Sequence, residues 1–163
     1  MNQNITLQTL TAAAFAPFGD VLEASGEPDK IINAGMCGRY HDRAKLDFIN
    51  GRASINLFNA TPRSLPYSFN LIERHPDGSQ AFVPMSEHPF IVIVAPNEGA
   101  IPGEPQAFVT KPGQAINFHR GTWHGVLTPL QEPGLFAVVD RVGPSSNLEE
   151  YIYSNQYVVQ SHI

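Results

Sequence analysis

The chain has 163 residues, 42% hydrophobic and 15% charged, with 10 Phe, 5 Tyr and 1 Trp, a composition that predicts one folded domain over residues 1–163 and excludes a disordered chain. Its 10 Lys and Arg against 15 Asp and Glu give a net charge of -5, and without a run of basic residues to neutralise phosphates no nucleic-acid partner is expected. The single Cys37 excludes an internal disulfide and a thiolate metal site, the longest apolar run, Phe90–Ala95, falls far short of the roughly 20 residues of a membrane helix, and MNQNITLQTL lacks the marks of a signal peptide, so a cytoplasmic protein without a membrane anchor is expected.

In chain order, a short helix is predicted at 11–15, where Thr11 caps the start and Gly19 lies beyond the end. Runs of strand length and β-rich composition follow at 53–59, 67–75, 80–84, 90–95, 107–110, 114–118, 124–127 and 135–141. A second helix is predicted at 148–155, because Leu148, Tyr151 and Ile152 share one helical face. The 13 glycines and 14 prolines are spread between these runs as punctuation, and no internal repeat is visible. Many short strands with terminal helices predict an all-β fold, a sandwich or a barrel.

Two stretches carry candidate chemistry. In YSFNLIERH, strand alternation puts Tyr67, Phe69, Leu71, Glu73 and His75 on one face and Arg74 on the other. If the aromatic face is the core face, Glu73 and His75 point inward, where a carboxylate and an imidazole need partners such as a metal or a polar ligand. Beyond the turn at Pro76-Asp77-Gly78, the parity of the next strand adds Gln80 to the same cluster. In KPGQAINFHRGTWHGVL, Gly113, His119, Gly121 and His124 are spaced as a strand, a tight turn and a second strand, with Trp123 read as packing. His41 and His162 are read as surface residues, and Cys37 as a packed thiol.

The spacing of Gly113, Gly121 and His124 resembles the second motif of the cupin barrels, with His119 at the usual proline position. Glu73, His75 and Gln80 stand at the spacing of the first cupin motif, although two of its three ligand types are changed. The implied metal ligands are therefore Glu73, His75, Gln80 and His124, a mixed oxygen and nitrogen set suited to a borderline divalent ion. Beyond that spacing, FAPFGDVLE, INAGMCGRYHD, ERHPDGSQAFVPM, HPFIVIVA, INFHRGTWHGVLTPL and FAVVDRVGPSSNLEE are similar to segments of the ureidoglycolate lyase family across essentially the whole chain. That resemblance implies a cupin-like β-barrel, a homodimer, an association with nickel, and cleavage of (S)-ureidoglycolate to glyoxylate and urea in allantoin degradation.

Such a cleavage is an elimination. It removes the hydroxyl proton, protonates the leaving nitrogen and needs a grip on the carboxylate. The base is His119 or His124, the acid Glu73 or Asp140, and the carboxylate is held by a metal or by Arg39, Arg74 or Arg141, with Gln80 as a further substrate contact. Arg74 has the weakest claim because parity turns it away from Glu73. Two rival functions are an amidohydrolase that releases ammonia and carbon dioxide, and a cupin module that binds a small acid without turning it over.

Overall fold

The computed structural model describes residues 2–161. The elements in order are β1 (Gln3–Ile5), β2 (Leu7–Thr9), α1 (Ala12–Phe15), β3 (Gly19–Leu22), β4 (Lys30–Ile32), β5 (Cys37–Arg39), β6 (Arg52–Asn59), β7 (Tyr67–Arg74), β8 (Gln80–Pro84), β9 (Phe90–Ala95), β10 (Asn97–Glu98), β11 (Ile101–Pro102), β12 (Gln106–Val109), β13 (Ala115–Phe118), β14 (Trp123–His124), β15 (Thr128–Pro129), β16 (Leu135–Val142) and β17 (Glu149–Val159). His162 lies outside the described residues.

An eight-stranded sheet runs β1-β17-β7-β14-β9-β12-β2, with β15 also on β9, and a five-stranded sheet runs β3-β13-β8-β16-β6. The first sheet almost closes through the chain itself. β1 pairs parallel with β17 and β2 pairs parallel with β12, so a single residue, Thr6, connects the two ends of the strand order. The result is the expected all-β cupin-like barrel.

Between the sheets lies the main core. Strand alternation sends Phe90, Val92 and Val94 of β9 inward against Phe82 of β8, Ile116 and Phe118 of β13, and Phe136 and Val138 of β16. Each fully buried Phe among them contributes about 1.5–3 kcal/mol. The other face of β9 is also covered, since Ile91 and Ile93 pack with Phe69, Tyr157 and Val159; hence the unbroken apolar run of that strand. α1 plugs one end. Thr11 Oγ1 accepts from the Ala14 amide at 3.2 Å, and Phe15 is fully buried against Phe18, Phe108 and Phe118. β3 enters beside β13 at Gly19, where a Cβ would overlap the Asn117 carbonyl.

Two predicted elements are corrected. The strand expected at 124–127 ends at His124, and residues 125–127 are in no strand. Residues 148–155 form no helix; from Glu149 on they belong to β17, which pairs antiparallel with β7 from Glu149↔Arg74 to Val159↔Tyr67 with a register shift between Ile152 and Tyr157. Tyr151 and Tyr153 are half-buried while Glu150, Ile152 and Ser154 are exposed, a period of two that the three apolar positions chosen for the helix happened to straddle.

Candidate active site

β7, β8 and β14 bring the site together from both sheets. Glu73 near the end of β7 is the register partner of His124 on β14, so the two side chains share a face. His75 follows one residue beyond β7. The ligand atoms of Glu73, His75 and His124 all lie within 4.8 Å of one another, and the two imidazole centroids are 5.2 Å apart. His124 is buried, and its ring stacks on Phe118 at 4.3 Å with planes 7° apart.

Backbone carbonyls fix both imidazole tautomers. His75 Nδ1 is 2.7 Å from the Asn147 carbonyl, and His124 Nδ1 is 3.0 Å from the Gly125 carbonyl. A carbonyl only accepts, so each Nδ1 carries a hydrogen, and in the neutral form of either ring Nε2 is the nitrogen that keeps a lone pair. Both Nε2 atoms are buried without a partner among the described residues. Burial, reinforced by His75, lowers the pKa of His124 to about 3 against the opposing pull of the Gly125 carbonyl; its ring is neutral near pH 7. Burial raises the Glu73 carboxyl, outweighing the attraction of His75, and Glu150 across the strand pair adds to the rise. Two imidazole Nε2 atoms and a carboxylate within one ion's reach form a donor set suited to a borderline divalent cation.

Gln80 and Asp140 line the same interior from the five-stranded sheet. Gln80 is the register partner of Phe118, and Asp140 shares parity with the core residues Phe136 and Val138. The Gln80 amide donates to Asp140 at 3.3 Å.

The remaining predicted residues stand elsewhere. His119 Nε2 meets Asp20 Oδ1 at 3.0 Å and lines an open cleft of about 730 Å³ with Arg120 and Trp123, a cleft not lined by Glu73, His75 or His124. Arg39 is exposed on the β4–β5 hairpin and contacts His41 Nδ1 at 2.8 Å. Arg74 pairs with Glu149 at 2.6 Å and lies over the Trp123 ring, turned away from Glu73 as parity requires. The Arg141 side chain is 1% exposed. It donates to the carbonyls of Ile49 and Asn50 at 2.6 and 2.8 Å and to Ser145 Oγ at 3.0 Å, tying loops together and leaving the interior.

The parity premise for β7 also needs correction. Glu73 does face the interior, but Tyr67 and Phe69 pack on the outer side with Ile91 and Ile93. Ile72 packs on that outer side too, with Ala95 and Trp123. Strict alternation is therefore broken between Phe69 and Ile72, opposite the register shift in β17. Sequence reasoning also missed Asn147, whose carbonyl orients His75 and whose Oδ1 accepts from the Asp77 amide at 2.7 Å; no local signal marks a contact over 72 residues of chain. Ser54 and Asn56, which hold Asp140, were visible only as the polar half of an alternating strand.

A family model described as ureidoglycolate lyase matches residues 2–160. The chain belongs to the ureidoglycolate lyase family. A protein named ureidoglycolate lyase from Rhodobacter capsulatus is 53% identical over 150 residues, 91% of this chain and 93% of that one. Proteins of the same name from Mesorhizobium japonicum and a Chelativorans species are 50% identical over 157 residues and 47% identical over 159, covering at least 95% of this chain and 96% of each relative. The match to the family model takes in each of Glu73, His75, Gln80, His124 and Asp140.

Proposed function

We propose that this chain, acting as one domain over residues 1–163, is a ureidoglycolate lyase that cleaves (S)-ureidoglycolate to glyoxylate and urea in the cytoplasmic degradation of allantoin. The observation that carries this is the pair of orphaned imidazole nitrogens beside Glu73, within a family whose curated relatives carry that name.

Glu73, His75 and His124 would hold a divalent ion, nickel by family resemblance, which when bound supplies a Lewis acid that lowers the pKa of the substrate hydroxyl. Glu73 moves the proton. One carboxylate oxygen takes it from the hydroxyl and returns it to the leaving nitrogen as the C–N bond breaks and the aldehyde forms. The other carboxylate oxygen remains for the ion. His124, neutral near pH 7, acts through its Nε2 lone pair and not as a cation. His119 takes no part in the proton transfer; paired with Asp20, it holds the turn before β14.

For the substrate carboxylate, Arg39, Arg74 and Arg141 are committed elsewhere. Alternation along β6 puts Arg52 on the side of Ser54 and Asn56. Arg52 is exposed and, among the described residues, donates to the neighbouring Ala53 carbonyl at 3.2 Å, which leaves a guanidinium edge for a carboxylate. We assign it that grip.

Incubation of untagged protein with ureidoglycolate, with elemental analysis before and after chelation, tests this assignment. Urea and glyoxylate in equal amounts are expected, with turnover falling as the ion is removed. Ammonia without urea would establish the amidohydrolase instead, and binding without turnover would establish the small-acid-binding module.

A further inference from the structure

Gln80 is buried, 6% exposed, and only one end of its amide is satisfied. Its Nε2 lies 3.3 Å from Asp140 Oδ2. Asp140 Oδ1 in turn accepts from Asn56 Nδ2 at 2.7 Å and from Ser54 Oγ at 3.2 Å, and Asn56 Nδ2 also reaches Ser54 Oγ at 3.0 Å. An ionised carboxylate accepts and never donates. The amide NH₂ must therefore face Asp140, and the carbonyl oxygen must face away from it. That oxygen, Oε1, is buried with no hydrogen-bond partner among the described residues, an arrangement that costs stability unless a ligand completes it.

The orphaned oxygen belongs to the interior described above. Gln80 is opposite Phe118, and Phe118 stacks on His124, so the acceptor stands on the wall facing the Glu73–His75–His124 group. A substrate bound there with its carboxylate and hydroxyl toward the ion and Arg52 extends its ureido group away from them. A ureido group is planar and rich in N–H donors, the complement of a fixed carbonyl acceptor.

We propose, on the basis of the lyase assignment, that Gln80 recognises the ureido group by accepting one of its N–H hydrogens at Oε1, and that Asp140, Asn56 and Ser54 are positioning residues that fix the amide in that orientation. In this assignment Gln80 is a specificity determinant and not a ligand of the ion, and Asp140 is not the acid. The contact outlasts the reaction, because urea keeps the N–H groups that Gln80 reads. A site that hydrogen-bonds an N–H in this way rejects analogues lacking it, since their binding leaves the acceptor unpaired.

Two probes separate these roles: N-carbamoylglycine, which has the ureido group and carboxylate but no hydroxyl, and glyoxylate, which has no ureido group. Their inhibition constants are measured on wild type, Gln80→Met and Asn56→Ala, together with bound metal by elemental analysis. Gln80→Met is expected to weaken N-carbamoylglycine about tenfold or more, the range for a lost hydrogen bond to a buried partner, and to leave glyoxylate affinity and metal content unchanged. Asn56→Ala is expected to move the same probe in the same direction by less, raising KM for ureidoglycolate more than it lowers kcat. Equal weakening of both probes, loss of metal with Gln80→Met, or an unaltered N-carbamoylglycine constant overturns the inference. If Gln80→Met does not fold, Asn56→Ala decides by the same comparison. Failure of the lyase assignment looks different, for wild type would then form no urea from ureidoglycolate whichever probe it binds.

Discussion

Glu73 is the residue at which function and stability pull in opposite directions. A carboxyl whose pKa is raised by burial destabilises the folded state once pH climbs above its unfolded value, because the folded chain then holds a proton that the unfolded chain has released. Glu73→Gln removes that charge at nearly constant volume. It is expected to lower kcat by about 10²–10⁴, the range for a lost proton-transfer group, while Tm stays level or rises; a drop in Tm with activity intact would make Glu73 a packing residue. His124→Gln keeps a polar side chain over Phe118 but loses the Nε2 lone pair. Bound metal, read by elemental analysis, is expected to fall to background with near-native circular dichroism. These residues were legible in the chain because glycine and histidine spacing records a strand–turn–strand unit. Their tautomers were not, since the Asn147 carbonyl that sets His75 comes from far along the sequence.

At the level of elements, the segment between β3 and β6 is fastened by Asp20. Its carboxylate accepts from the Lys45 amide at 2.8 Å, Asn117 Nδ2 at 3.0 Å and His119 Nε2 at 3.0 Å. Burial alone would raise its pKa, yet these three partners together hold it below the ordinary value. A carboxyl with a lowered folded pKa contributes stability above its unfolded pKa and loses it as pH falls through the folded one. Wild type is therefore expected to lose Tm more steeply than Asp20→Asn below about pH 4; parallel curves would show that the tie contributes nothing. His119→Ala should cost stability with kcat largely retained, which separates its tie to Asp20 from proton transfer. The strands that were predicted correctly, such as 80–84 and 90–95, are those whose composition and flanking prolines agree. β17 was misread because its tyrosines satisfy both a helical and an extended spacing, and only pairing with β7 and β1 favours the strand.

At the scale of the molecule, β6 forms the edge of the five-stranded sheet, and its two faces do different things. Ser54 and Asn56 face Asp140. Ile55 and Leu57 are 76% and 67% exposed, and Val83 of β8, across Ala137 of β16, and Met85 just after β8 are also exposed. An edge strand beside an exposed apolar row invites association. If this face joins two copies of the chain, Ile55→Lys with Leu57→Lys is expected to lower the mass read by sedimentation velocity without loss of strand content; an unchanged mass would show that it does not. Sequence alone determined the all-β class, the family and the strand–turn–strand unit that carries His124, because strand composition and turn glycines are local properties of the chain; Glu73 and His75 were reached through an alternation from Tyr67 and Phe69 that the fold breaks. Tertiary structure alone decided that Gln80 is oriented by Asp140 and Asn56, that Arg141 is spent on backbone carbonyls, and that β7 changes parity between Phe69 and Ile72. Those depend on which strands become neighbours, and neighbours in a barrel are set by closure of the whole sheet.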